Sequence, residues 1–82
     1  MKIIYVVSKK GKNRYLRTIN GRATLSSNDT IGAIQADHYE TVEEAIDAAK
    51  KYSKKNSKVK TEDLEILEFV IYSSLVRSIK IE

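Results

Sequence analysis

Residues 41–52 hold the one amphipathic helix in a chain that otherwise reads as strands, and that helix sets how a core can form. The stretch opens on Thr41 with Glu44 three residues later, a capping-box spacing that satisfies N–H groups left free at a helix start. Val42, Ala45, Ile46, Ala49 and Tyr52 then recur at helical spacing on one face. Five acids and no Lys or Arg lie in residues 37–49, and six lysines with no acid follow in 50–60. That switch matches the helix dipole, which favours carboxylates at the first turn and cations at the last. The helix is expected from Thr41 to about Lys55. Residues 53–60, apolar only at Val59, read as a mobile linker.

Strands account for the rest. Residues 2–8 are apolar on both parities, as a central strand requires. A polar turn with Gly11 follows. Residues 14–19 and 22–26 flank Asn20-Gly21, the strongest short hairpin signal, because both turn positions need positive φ. A two-residue turn sets Ile19 against Arg22, Thr18 against Ala23 and Leu16 against Leu25. One hairpin face then carries Leu16, Thr18, Ala23 and Leu25, suited to a core. The other carries Tyr15, Arg17, Ile19, Arg22 and Thr24. Residues 31–36 are a candidate short strand. Residues 64–72 fit either a helix face or a strand, and the strand is preferred because a sheet needs the partner. Residues 75–81 alternate as a final strand, with Leu75, Ile79 and Ile81 on one parity and Arg77 interrupting it. The fold class is therefore α+β: an antiparallel sheet of four to five strands with one helix packed on one face. The other face is expected to be open to water.

At 82 residues the chain is expected to be a single domain, 1–82. There is no cysteine, which excludes disulfides and thiolate metal sites. No apolar run is long enough to span a bilayer, and no signal-peptide pattern is present. A cytoplasmic location is the expectation.

Nothing in the chain points to catalysis. His38, the sole histidine, lies between Asp37 and Glu40 with Tyr39, a solvated lead into the helix rather than a set of convergent ligands. The serines lack a poised base. Glu43 and Glu44 are adjacent on a helix and point apart. The isolated glycines form no phosphate cradle. The expectation is a non-enzyme with no cofactor and no metal.

The first 36 residues carry seven Lys or Arg against one acid, an excess the helix does not explain. Lys9, Lys10, Lys12 and Arg14 lie in or beside one turn, and Tyr15, Arg17 and Arg22 project from the hairpin face away from the expected core. These seven are the candidate partner-binding residues. A protein partner is the leading reading. A nucleic acid held by the basic hairpin from Lys9 to Arg22 is the alternative, since Lys and Arg contact phosphates and an interleaved tyrosine can stack a base. A structural homodimer, through an edge strand or a bare sheet face, is the third.

The order of features resembles that of small uncharacterised prophage-encoded proteins of Gram-positive bacteria, with a β-β-β-α-β pattern. The resemblance is carried by Tyr5-Val-Val, the Lys-rich turn, Tyr15-Leu16, the helix start from Thr41 to Ala45 and the alternating Leu64-Glu-Ile-Leu-Glu68. It implies a cytoplasmic phage or mobile-element accessory protein that binds and disables a host factor stoichiometrically, such as an anti-defence or anti-CRISPR inhibitor. Tyr15 to Gly21 before the helix is also similar to a β-β-β-α repeat in a stress-linked bacterial domain of unknown function.

Overall fold

The computed structural model describes residues 3–11, 14–27, 36–70 and 74–81. They form β1 (Ile3–Lys9), β2 (Arg14–Ile19), β3 (Arg22–Ser27), α1 (Val42–Lys55), a single 3-10 turn (Thr61–Asp63), β4 (Leu64–Val70) and β5 (Ser74–Lys80). The five strands make one antiparallel sheet in the order β3-β2-β1-β4-β5. β1 is central, as its apolar character on both parities requires. Residues 64–70 are strand, so the helical alternative fails there; β-branched and aromatic side chains suit a pleated surface paired on both edges. Lys12, residues 31–35 of the expected short strand and residues 71–73 fall outside the described residues.

The hairpin register is the one set by its turn: Ile19 opposite Arg22, Thr18 opposite Ala23, Leu16 opposite Leu25. Asn20 and Gly21 have φ of 52° and 78°, as a two-residue turn that matches the strand twist needs. α1 begins where expected. The Glu44 N–H donates to the Thr41 hydroxyl oxygen at 3.1 Å, and that hydroxyl donates to the Glu44 carboxylate at 3.1 Å. The return arm of the cap thus closes on the hydroxyl.

Residues 56–63 are hydrogen-bonded rather than a free linker. Asn56 caps α1 by donating from its N–H and its Nδ2 to the Tyr52 carbonyl, each at 3.0 Å. The Ser53 hydroxyl donates to the Val59 carbonyl at 2.6 Å. Val59 packs on the core, so the lone apolar residue of a lysine-rich stretch anchors it.

α1 lies over β1 and β4. Ala45 and Ala49 are fully buried there with Val7, Leu64, Ile66 and Leu16. Small residues on the helix let the two layers approach closely, and each fully buried Val, Leu or Ile contributes about 1.5–3 kcal/mol.

The far face departs from expectation. Ile4, Val6, Ala36 and Leu67 form a second buried cluster there, with Tyr15 and Phe69 packed against it, and Val6 has no exposed surface. The centre of that face is dry, because β1 and β4 are apolar on both parities and must be covered on both sides. Ala36 belongs to this cluster and Tyr39 to the one beneath α1. The chain therefore crosses the sheet between them.

The crossing runs through a gap between β1 and β2. These strands meet at Ser8 opposite Tyr15. An uninterrupted ladder would go on to set Tyr5 opposite Thr18. Instead Tyr5 exchanges both backbone bonds with Tyr39, at 3.0 and 2.9 Å, and the Asp37 N–H donates to the Leu16 carbonyl at 3.0 Å. Residues 37–39 thus act as a short strap that supplies the partners each strand lacks.

Candidate partner-binding surface

Because α1 sits over β1 and β4, the β2–β3 hairpin extends beyond the part of the sheet that the helix covers. Every residue from 18 to 23 is exposed. Ile19 keeps 43% of its surface in water, a large apolar group left open at the tip. The tip is braced at its base: the Thr18 N–H and the Thr18 hydroxyl both donate to the Asp37 carboxylate.

The candidate residues do not form one cluster. Lys9, Lys10 and Arg14 lie at the β1–β2 turn, and Arg22 lies at the other end of β2. Six residues of strand set those ends about 17 Å apart. Tyr15 is half-buried against the far-face cluster, and Arg17 is half-buried on the same parity. Lys10 is tied by its backbone N–H to the Asp63 carbonyl at 2.8 Å. Arg22 is exposed and joins residues that sequence spacing did not associate with it.

Those residues surround a groove of about 480 Å³ between the inner face of the hairpin and the C-terminal half of α1. Leu16, Ala23 and Ala48 give it an apolar floor, Tyr39 and Tyr52 add phenols, Lys51 and Lys55 add positive charge from α1, and Arg22, on the parity of Ile19, borders it from the hairpin tip. Burial, with the Asp37 carboxylate close by, pushes the Tyr39 phenol up to about 12. It stays a neutral hydrogen-bond donor throughout the physiological range. Lys51 pairs with Asp47 one turn earlier at 3.2 Å, with both side chains mostly in water. Such exposed pairs exchange readily.

A second polar site lies under the other end of the sheet. Glu68 is buried, and Arg77 donates to its Oε1 from Nε at 3.2 Å and from the terminal guanidinium nitrogen at 3.1 Å. Tyr5 stands directly opposite Glu68 on β1, and that carboxylate raises its phenol above the ordinary value. The same pairing raises the Arg77 guanidinium. Glu68 and Arg77 face each other across β4 and β5, just before a register shift that sets Phe69 against Leu75. That shift breaks the alternation expected through Leu75. Arg77, which interrupts the apolar parity of its own strand, is the counterion of the acid that interrupts β4.

His38 is exposed. Among the described residues no three His, Cys, Asp or Glu converge as metal ligands, and no helix is long and apolar enough to cross a membrane. Comparison of the chain with family models, with curated proteins and with solved structures gives no match.

Proposed function

We propose that this chain is a non-catalytic binding protein that acts stoichiometrically on a protein partner, in the manner of the phage accessory inhibitors it resembles, with the β2–β3 hairpin as its contact element. One observation supports this above the others. A braced hairpin tip holds Ile19 in water, with Arg17 two residues before it and Arg22 directly opposite it across the turn. Binding energy at protein interfaces concentrates in a few apolar and arginine anchors held in place beforehand. A tip tied down by Asp37 loses little freedom on binding.

The test begins with capture from a bacterial host lysate and continues with the purified partner. Calorimetry should give one partner per chain. Ile19→Asp combined with Arg22→Glu should weaken binding by about 30-fold or more, as loss of a hot spot of about 2 kcal/mol does. An unchanged affinity would place the contact elsewhere. Steeply salt-dependent binding of DNA or RNA in place of any protein would favour the nucleic-acid reading. Concentration-dependent sedimentation without a partner would favour the homodimer.

A further inference from the structure

We infer that the groove between the hairpin and the C-terminal half of α1 is the seat for an extended, acidic segment of the protein partner. The inference rests on the hairpin reading above and names the chemistry that the hairpin's inner face accepts.

Three features argue for that occupant. The first is charge. Arg22, Lys51 and Lys55 border the groove, and none of its lining residues among the described ones is acidic. Asp47 compensates Lys51 at 3.2 Å, and the Asp37 carboxylate is turned to the Thr18 N–H and hydroxyl, so the positive excess rests on Arg22 and Lys55. The second is the floor. Leu16, Ala23 and Ala48 are apolar, so a bare inorganic anion would leave that floor without an apolar group to cover it. A side chain pair of one acid and one aliphatic residue satisfies both parts. The third is size. A groove of about 480 Å³ falls in the range that encloses a compact ligand. A nucleic-acid strand calls for a longer basic track with exposed stacking faces.

The end of α1 lies here too, and helix C-termini disfavour anions. Asn56 offsets this by covering the Tyr52 carbonyl from both its N–H and its side chain, and Lys54 and Lys55 fill the last turn. The phenols of Tyr39 and Tyr52 add donors suited to a carboxylate.

The experiment titrates the full-length, isotope-labelled chain with a blocked peptide of alternating leucine and glutamate. The matched leucine–glutamine peptide and a thymidine oligonucleotide serve as comparisons. Amide shift changes should centre on Thr18, Ala23, Ala48 and Tyr52. Binding should fall about 10-fold or more with the glutamine peptide, and likewise in a Lys51→Gln/Lys55→Gln variant. Ala48→Phe, which fills the groove from the helix side, should abolish it while circular dichroism stays unchanged. Equal affinity for the glutamine peptide, shifts centred on the far sheet face, no binding at all, or tighter binding of the oligonucleotide would each overturn the assignment. Ile19→Asp should leave peptide binding intact. If Ile19→Asp loses the natural partner while the peptide never binds, the groove assignment falls and the hairpin reading stands. If the peptide binds and the partner tolerates Ile19→Asp, the hairpin reading falls.

Discussion

The Asp37 carboxylate accepts hydrogen bonds from both the backbone N–H and the hydroxyl of Thr18, nineteen residues away in sequence. One side chain thus replaces the strand neighbour that β2 loses where β1 diverges from it. The same residue's backbone N–H bonds the Leu16 carbonyl, so the strap is attached to β2 at three points.

Removing that attachment should loosen the tip. Asp37→Ala is expected to cost about 1.5–2 kcal/mol, the lower part of the range for hydrogen bonds to a charged group, because Thr18 is exposed to water. Thr18→Val should cost less, since it keeps the backbone donor. Urea unfolding of both single variants and the double variant measures the coupling. Costs that simply add would show that the two groups do not interact.

Arg77→Leu should lower the melting temperature, because it leaves the buried Glu68 carboxylate without its counterion. The cost stays below that of a fully buried pair, since Arg77 keeps 60% of its side chain in water. Glu68→Leu together with Arg77→Leu should be less destabilised than Arg77→Leu alone. Thermal unfolding of the three variants is the check, and a double variant worse than the single would contradict it.

Gly21 should resist substitution for a backbone reason alone. A Cβ there meets no atom within 4 Å, yet φ is +78°. Gly21→Ala is therefore expected to cost about 1–2 kcal/mol from left-handed strain. A synthetic chain with D-alanine at that position should recover most of it. Equal stability of the two would mean that the turn relaxes.

High pH should weaken the fold through Tyr39. Its phenol ionises near 12 in the folded chain against 10 ordinarily. Between those values the unfolded chain has released a proton that the folded chain still holds. Stability then falls as pH rises through that window. Tyr39→Phe should flatten this part of the pH profile of the urea midpoint, and phenolate absorbance should show one tyrosine fewer titrating late. An identical profile in the variant would assign the loss to other groups.

Local pattern determined a good part of this protein. Asn20-Gly21 dictated the hairpin register, because a two-residue turn leaves no freedom to slip. The Thr41 cap and the helical spacing of Val42, Ala45 and Ala49 specified α1, and two apolar parities made β1 central. Tertiary structure alone decided the rest. The passage of Asp37 and Tyr39 between β1 and β2, the pairing of Glu68 with Arg77, and the placing of Arg22 and Lys55 beside one groove bring together residues far apart in the chain or on different elements. Periodicity records which way a side chain faces, but carries no information about which distant backbone group will be left without a partner and must find one.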